Sequence, residues 1–365
     1  MKSLSTEQRF SQTIEMMRFP LILLVVIAHM VPFDSPAVRL STDIDAIYVF
    51  VSEMMSHNLA RVAVPCYFLI SGYFFFKSSQ KWDWNLLQTK LKKKVRTLLI
   101  PYVVWNALLI FAIVVKSSTF DWLGFGKDEG FVLLKSTSLY DWFWCMPINF
   151  PLWYMRDLLV MVFISPLFYL LFKYTKVYGL LVLVGIYLCV LETNLPGFST
   201  TAVFFFGTGA YLALNKKDMI SLFERYRTVM GILAGAVLLV ATLNNGTSSH
   251  EYIVRIFIIF AVISTVNLFD HLRKFDSLKN VLFAFAPTTF FVYVVHEIYI
   301  IAWLKGALAR VAQEGWLKLI GYFLVPWICV GICIGLFYLL RRMVPTLMQL
   351  ALGGRVDSDR KRKKI

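Results

Sequence analysis

Charged residues are scarce in this sequence, and their scarcity excludes a soluble protein of ordinary composition. Only 16% of the 365 residues are charged, 58% are hydrophobic and the mean hydropathy is +0.67. A soluble domain of this size could not cover its own surface with so few polar side chains. Long apolar runs recur instead, and they are continuous rather than alternating as in a transmembrane β-barrel. We therefore predict an all-α, polytopic membrane protein.

Cysteines are few as well, and their spacing gives no sign of a metal site. The five are Cys66, Cys145, Cys189, Cys329 and Cys333, and no interval between them is typical of metal ligands. Cys329 and Cys333 are four residues apart, which favours a small packing face on one helix. We therefore expect no bound metal and no permanently bound cofactor. The sequence shows no internal repeat either, which disfavours the inverted-repeat transporters.

Ten apolar segments are candidates for membrane-spanning helices, at about 16–33, 62–76, 98–115, 152–172, 177–191, 200–214, 228–243, 251–270, 281–304 and 319–341. The fifth, sixth and seventh are short for a full crossing. Apolar residues from Ala46 onward allow the second span to begin earlier. Because the connecting segments are short, we expect a single transmembrane domain over residues 1–365, with a basic tail at about 353–365.

The basic residues are distributed unevenly between the segments that join these spans. Segments that share one side of the membrane with the two termini carry 27 of the 37 lysines and arginines, and the other side carries 10. By the positive-inside rule both termini are cytoplasmic. Two termini on the same side require an even number of spans, and ten satisfies this. The same distribution explains the net charge of +15 as a topology signal, so we expect a lipid bilayer and no nucleic acid as partner.

The first span carries an arginine and a histidine eleven residues apart, Arg18 and His29. Eleven residues return a helix to nearly the same face and raise it by about 16 Å. The imidazole would then lie about halfway across a hydrocarbon core about 30 Å thick. A histidine at that depth either takes part in function or hydrogen-bonds a neighbouring helix, and this span alone favours neither interpretation.

Basic side chains gather at the predicted cytoplasmic ends of the spans. Arg18 and Arg96 lie closest to the bilayer, and Lys93 belongs to the run that precedes the third span. Guanidinium and ammonium groups both suit a phosphorylated ligand. Ordinary topology charge explains the same residues without any ligand.

Polar residues also enter the apolar segments from the predicted outer side. Arg61 precedes the second span, in which the pair 71–72, Ser-Gly, favours close approach of another helix. Trp153, Arg156 and Asp157 open the fourth span. Because Arg156 and Asp157 are adjacent, they point about 100° apart on a helix, and we expect each to have another partner.

Two further polar residues, His296 and Glu297, lie well inside the ninth span. As neighbours on a regular helix they face different ways, so we expect one of them to face the interior of the bundle. Together with His29 they indicate a polar cavity that opens to the outside above a basic entrance on the inside. Such a cavity suits chemistry between a cytoplasmic and an external partner, and it also suits a transport pathway.

Four motifs follow one another along the chain. They are the pair Arg18 and His29, the run Val64-Pro-Cys-Tyr-Phe-Leu-Ile-Ser-Gly72, the basic segment 90–96 followed by Pro-Tyr, and Pro151-Leu-Trp-Tyr-Met-Arg-Asp157. In this order, and over nearly the whole length, they resemble the acyltransferase type 3 family of bacterial integral-membrane acyltransferases. That family usually has two arginines, three residues apart, in the basic segment, and Lys93 replaces the first.

The resemblance implies an O-acyltransferase in the bacterial cytoplasmic (inner) membrane. It would move an acyl group, acetyl or succinyl, from cytoplasmic acyl-CoA as co-substrate to a hydroxyl of an extracytoplasmic carbohydrate or lipid-linked glycan. By analogy Arg18, with Lys93 and Arg96, engages CoA, and His29 forms the reaction centre with Arg18. Neutral imidazole accepts a hydroxyl proton near pH 7, so we expect His29 to be the general base.

On the acceptor side, position and charge select a second group of candidates, which are Arg61, Ser71, Trp153, Arg156, His296 and Glu297. The same central polar residues also suit a transporter or flippase of a lipid-linked or acidic solute. A membrane receptor or scaffold is a third interpretation, and it predicts tolerance to the loss of both His29 and His296.

Overall fold

The computed structural model describes residues 5–30, 38–77, 83–124, 129–190 and 195–355. Within these ranges the secondary structure is entirely helical. We number the helices in chain order: α1 Thr6–Ala28, α2 Ile44–Lys77, α3 Trp84–Trp122, α4 Glu129–Ser136, α5 Phe150–Phe163, α6 Ser165–Thr175, α7 Val177–Leu188, α8 Thr200–Leu214, α9 Met219–Glu224, α10 Arg227–Leu243, α11 His250–Leu272, α12 Asp276–Val311, α13 Gly315–Met343 and α14 Pro345–Ala351. A single π-helical turn, Asp141–Cys145, lies between α4 and α5.

Six of the helices in the described ranges are long and apolar enough to cross a bilayer, namely α1, α2, α3, α11, α12 and α13. The pair α5 and α6 is bent by 56° and makes a seventh candidate if it is one span. Pro166 stands in the first turn of α6, where its missing N–H ends the hydrogen-bond ladder of α5. The prediction of an all-helical, multi-pass membrane protein is confirmed.

The ten predicted segments differ in length from the helices that the structure contains. The three segments predicted to be short fall on α7, α8 and α10, which have only 12, 15 and 17 residues. The first span is displaced toward the amino terminus, because Ser5 and Gln8 form a capping box that starts α1 and His29 already caps its end. The second span begins at Ile44, where the side chain of Asp43 caps the helix.

Contacts within the chain divide it into two compact units. The first comprises residues 1–81, 164–192 and 200–335, and the second comprises residues 82–163, 193–199 and 336–365. In the first unit, α1 packs against α2, α11 and α12. Met16, Met17 and Val26 of α1 are fully buried there. The helix that carries Arg18 and ends at His29 therefore lies inside a packed bundle.

Within the same unit, α2 and α8 approach each other closely at Gly72. A β-carbon at this position would overlap the backbone oxygen of Phe206 on α8. Only glycine lets the two backbones come so near, as in other helix pairs of membrane proteins. The predicted role of the pair 71–72 in helix approach is confirmed, and Ser71 lies beside this crossing.

Candidate functional site

His29 is held where α1 ends and α12 breaks. Nδ1 of its ring lies 2.8 Å from the backbone oxygen of Val25, and Nε2 lies 3.4 Å from Oε2 of Glu297. Because a carbonyl oxygen can only accept, Nδ1 carries the proton of the neutral ring, and the lone pair of Nε2 is directed toward Glu297. Lys305 Nζ donates to the backbone oxygen of His29 at 3.0 Å. The basic nitrogen of His29 thus faces a carboxylate.

The break in α12 brings two neighbouring residues to this imidazole. A π-helical turn begins at His296, and inside it Ile298 has a ψ of 83° and Tyr299 a φ of 63°. A positive φ is costly for an aromatic residue and interrupts the regular helix. The ring of His296 packs edge-on against that of His29, with centroids 5.0 Å apart, while Glu297 reaches Nε2 of His29. His296 is buried inside the bundle, as expected for one of the two neighbours, and Glu297 reaches the same imidazole because the helix is not regular here.

His296 is fully buried and only half of its ring is hydrogen-bonded. Its Nδ1 lies 3.0 Å from the oxygen of Val292 and 2.9 Å from that of Tyr293, so this nitrogen carries the proton of the neutral ring. Among the described residues, Nε2 has no hydrogen-bond partner. A buried acceptor left without a donor costs about 1–3 kcal/mol. This nitrogen can therefore accept a hydrogen bond from a donor that the described residues do not supply.

His29, His296 and Glu297 also satisfy the simplest geometric test for a metal site. One ligand atom from each lies within 4.8 Å of the other two. Two imidazoles and a carboxylate form a ligand set found in catalytic zinc sites, and Nδ1 hydrogen bonds to carbonyls are typical second partners of such ligands. The same three groups can equally share a proton. The expectation of a metal-free site stays a prediction, and a metal assay decides it.

Arg18 lies three turns before His29 on α1. Its Nη1 is 3.2 Å from Oε1 of Glu15 on the same helix, and its side chain is 38% exposed. The backbone oxygen of Arg18 accepts a hydrogen bond from the Tyr67 hydroxyl at 2.9 Å. Tyr67 thereby ties α2 to α1 at the level of the arginine. Helical geometry separates Arg18 from His29 by about 16 Å, so the two do not act on one atom.

Arg61 is part of an ion-pair network instead of the group around His29. Its two Nη atoms donate to the two carboxylate oxygens of Glu251, each at 2.8 Å. Glu251 also accepts from Nε of Arg255 at 3.2 Å. Arg255 is buried, and its Nη1 donates to the oxygen of Tyr187 at 2.6 Å and to Thr200 Oγ1 at 3.1 Å. The network joins α2 to α11 and accounts for the position of Arg61.

Trp153 and Arg156 belong to the second unit, on α5. Arg156 and Asp157 each have another partner, as expected, but they also pair with each other at 2.9 Å because the flexible arginine folds back. Nη1 of Arg156 also donates to the oxygens of Trp144 and Cys145, each at 2.8 Å. Arg156 therefore holds the π-helical turn before α5. Trp153 is partly buried at the start of the regular α-helix.

Lys93 and Arg96 lie in the second unit on α3, and both side chains are exposed. A π-helical turn, Val95–Leu99, begins between them.

Sequence reasoning missed two residues that bear on the candidate sites. One is Lys305, which holds the backbone of His29, and the other is Arg355, which donates to the oxygen of Thr97 at 2.8 Å. Neither contact could be inferred from spacing, since both join distant parts of the chain.

Comparison with known proteins identifies the family. A family model described as an acyltransferase domain, of type 3, matches residues 12–341. The chain belongs to the type 3 acyltransferase family. It is similar to the succinoglycan biosynthesis protein ExoH of Rhizobium meliloti (strain 1021), with 26% identity over 364 residues, or 96% of this chain and 94% of that protein. No solved structure matches. The protein is therefore an acyltransferase that transfers groups other than aminoacyl groups, as the resemblance implied.

Proposed function

We propose that this acyltransferase moves an acyl group, acetyl or succinyl, from cytoplasmic acyl-CoA to a hydroxyl of a carbohydrate on the outer side of the bacterial inner membrane. A polysaccharide or its lipid-linked precursor is the acceptor. The printed name of ExoH, a succinoglycan biosynthesis protein, supports a polysaccharide. The three short apolar helices, with the six long ones and the bent pair, supply ten crossings, and the charge bias then places both termini in the cytoplasm.

The placement of His29 against Glu297 is the observation that carries this proposal. His29 Nε2 takes the proton of the acceptor hydroxyl while the hydroxyl oxygen attacks the carbonyl carbon of the thioester. The tetrahedral intermediate then expels the CoA thiolate, which receives the same proton from His29. Positioned general bases of this kind contribute about 10²–10⁴-fold to the rate.

Two neighbouring groups support His29 in this role. The hydrogen bond from Nδ1 to Val25 holds the ring and keeps the lone pair on Nε2. The carboxylate of Glu297, 3.4 Å away, stabilises the imidazolium that forms when the proton is accepted. The lone pair on Nε2 of His296 receives a hydrogen bond from the acceptor sugar.

The cations on α1 and α3 hold the donor in this proposal. Arg18, Lys93 and Arg96 bind the phosphates of acyl-CoA, since guanidinium and ammonium groups pair with phosphate oxygens. Lysine at position 93 binds as a point charge and lacks the two-pronged geometry of arginine. Arg61 and Arg156, whose partners are carboxylates and backbone oxygens, contribute to the fold of the acceptor side.

The test is acyl transfer by purified protein in nanodiscs. Radiolabelled acetyl-CoA or succinyl-CoA is supplied with polysaccharide isolated from cells that lack the protein, and the label on the polysaccharide is counted. We expect His29→Ala to lower transfer by about 10²-fold or more. His271→Ala is the matched control, because His271 is exposed at the end of α11 and its ring only meets that of Phe275 edge-on. Full activity of a folded His29→Ala protein would reject the general-base role.

A second arm separates transfer from transport. Proteoliposomes are loaded with acceptor, and movement of the solute is measured with and without acyl-CoA. We expect acyl-CoA to be consumed in proportion to the acyl groups that appear on the acceptor. Solute movement without consumption of acyl-CoA would support the transporter interpretation instead.

A further inference from the structure

Glu53 is a buried acidic residue to which the proposed mechanism gives no role. It begins a π-helical turn of α2, Glu53–Asn58, and this turn packs against α1 and α10 in the first unit. The side chain of Glu53 is only 5% exposed. Ionisable residues buried in a membrane-spanning helix are costly, and they commonly serve a function together with a partner.

The partner of Glu53 is His57, four positions further along α2. Nδ1 of His57 lies 2.5 Å from Oε2 of Glu53. Because an ionised carboxylate can only accept a hydrogen bond, Nδ1 carries the proton of the neutral imidazole and Nε2 keeps its lone pair. The side chain of His57 is 31% exposed, and the exposed part of the ring is the part turned away from the buried carboxylate.

The other hydrogen-bond donors of this turn are directed elsewhere. The Ser56 hydroxyl donates to the backbone oxygen of Ile27 at 2.6 Å, so the Tyr322 hydroxyl, 2.7 Å from it, must donate to Ser56. Nδ2 of Asn58 donates to the backbone oxygen of Glu53 at 3.1 Å and to a threonine hydroxyl of α10 at 3.4 Å. Oε1 of Glu53 accepts no hydrogen bond from any residue in the described ranges. Within those ranges the imidazole is the sole donor to this carboxylate.

The carboxylate therefore controls how the imidazole is presented. A hydrogen bond to Nδ1 fixes the tautomer and the orientation of the ring, as the acidic residue does in a catalytic triad. It also makes the other ring nitrogen more basic, as carboxylate partners do for histidines that bind metals. Glu53 thus prepares His57 to accept a hydrogen bond through Nε2.

The pair lies beside the end of α1 that carries His29. The hydrogen bond from Ser56 to Ile27 joins the π-helical turn to α1 two residues before His29. The turn ends three residues before Arg61, on the side of the membrane that the charge bias predicts to be outside. His57 is therefore placed to meet an acceptor that approaches His29 from the outer side.

Charge and hydrogen-bonding capacity select the ligand. With a neutral imidazole the pair carries one negative charge and presents an acceptor atom, so it repels a phosphate or a carboxylate. A hydroxyl group is a neutral donor and fits such an acceptor. A carbohydrate carries several hydroxyls, and only one of them reacts in a single transfer. A second hydroxyl is thus available to bind the pair while the first reacts.

We propose that Nε2 of His57 accepts a hydrogen bond from a hydroxyl of the acceptor carbohydrate other than the one that is acylated, and that Glu53 positions the imidazole. This inference rests on the proposed function for the carbohydrate. It adds to the acceptor site a residue of α2 that binds the carbohydrate and takes no part in the transfer of the acyl group.

The first test is steady-state kinetics of purified variants in nanodiscs, with acyl-CoA and the unacylated polysaccharide. We expect His57→Ala to raise the KM for the polysaccharide about 3- to 10-fold, as the loss of one hydrogen bond does, with kcat and the KM for acyl-CoA unchanged. Glu53→Gln should raise the same KM by a smaller factor, because it weakens the hold on Nδ1 without removing Nε2. His57→Gln keeps an acceptor oxygen near the position of Nε2 and should restore part of the affinity.

His250→Ala is the matched control. Nδ1 of His250 lies 3.1 Å from the backbone oxygen of Ala241, so a carbonyl fixes this ring where a carboxylate fixes that of His57. His250 is also partly exposed, in the same unit and at the start of α11. We expect its replacement to leave all three kinetic constants unchanged. An equal rise in the KM for the polysaccharide in His250→Ala and His57→Ala would overturn the proposal, because the carboxylate partner would then make no difference.

A second test separates this inference from the proposed function. No transfer occurs without acyl-CoA, so binding of an oligosaccharide cut from the unacylated polysaccharide is measured by isothermal titration calorimetry. We expect the Kd to rise in His57→Ala by the same factor as the KM. If the unsubstituted protein binds the oligosaccharide and folded His57→Ala protein binds it equally well, the pair is structural and this inference is wrong, while the proposed function stands. If the unsubstituted protein neither binds nor acylates the oligosaccharide, the carbohydrate acceptor is wrong and both proposals are overturned.

Discussion

Nε2 of His29 and Oε2 of Glu297 lie 3.4 Å apart, although 268 positions separate the two residues in the chain. The contact joins the carboxyl end of α1 to the break in α12. It is longer than the charge-assisted hydrogen bonds of about 2.7–2.9 Å that form once the imidazole is protonated. The pair therefore places a carboxylate beside the nitrogen that carries the proton in the proposed mechanism.

The first prediction concerns this carboxylate. Replacing Glu297 by Gln removes the negative charge while keeping the shape, so the imidazolium formed during transfer is less stable. We expect kcat to fall by about 10- to 100-fold, with the KM for acyl-CoA unchanged. Steady-state kinetics with varied acyl-CoA measure both constants. A rise in the KM for the carbohydrate with an unchanged kcat would instead assign Glu297 to acceptor binding.

A second prediction concerns metal. In the proposed mechanism the lone pair on Nε2 of His29 takes the proton of the acceptor, so it is not available to bind zinc. We expect purified protein to contain less than stoichiometric zinc by mass spectrometry and to keep its transfer activity after treatment with phenanthroline. A stoichiometric metal whose removal abolishes transfer, and whose return restores it, would show that His29, His296 and Glu297 form a metal centre.

The sequence and the structure agree best where local pattern decides the outcome. The helical class follows from continuous apolar runs, and the close approach at Gly72 follows from a small residue in such a run. The relation of Arg18 to His29 follows from the turn of one helix. Motif order then led to the acyltransferase family, which the match over residues 12–341 confirms.

Contacts between distant segments account for the remaining differences. His296 and Glu297 contact His29 because the helix breaks at Ile298 and Tyr299. Neither residue is a glycine or a proline, so the sequence does not predict the break. Arg61 looked like a ligand for an acceptor because its partner Glu251 is 190 positions away. A single sequence gives the position of a charge along one helix but not the opposite charge that packs against it.

A third prediction follows from that ion pair. Glu251 holds Arg61 and the buried Arg255, so its replacement by Gln leaves two cations facing each other. The side chains of Arg61 and Glu251 are each about one-third exposed, so water screens their attraction. We therefore expect Arg61→Ala to lower the free energy of unfolding by about 1 kcal/mol. Glu251→Gln should cost more, because it strands Arg255 as well.

Thermal unfolding in detergent measures these effects. We expect Arg61→Ala to lower the melting temperature slightly and Glu251→Gln to lower it further. The decrease in the double variant should be smaller than the sum of the two single decreases. The KM for the acceptor should stay unchanged in Arg61→Ala. A large increase in that KM, with an unchanged melting temperature, would return Arg61 to the acceptor site.

The last prediction concerns the crossing of α2 and α8. A leucine at Gly72 would force the backbone of Phe206 away, and overpacking of this kind costs about 1–3 kcal/mol or more. Gly185→Leu on α7 is the matched control, because a β-carbon at Gly185 meets nothing within 4 Å. We expect Gly72→Leu protein to melt several degrees lower and to accumulate less in membranes, while Gly185→Leu behaves as the unsubstituted protein. Equal stability of the two variants would mean that α2 and α8 are held apart in the membrane and that glycine is not required between them.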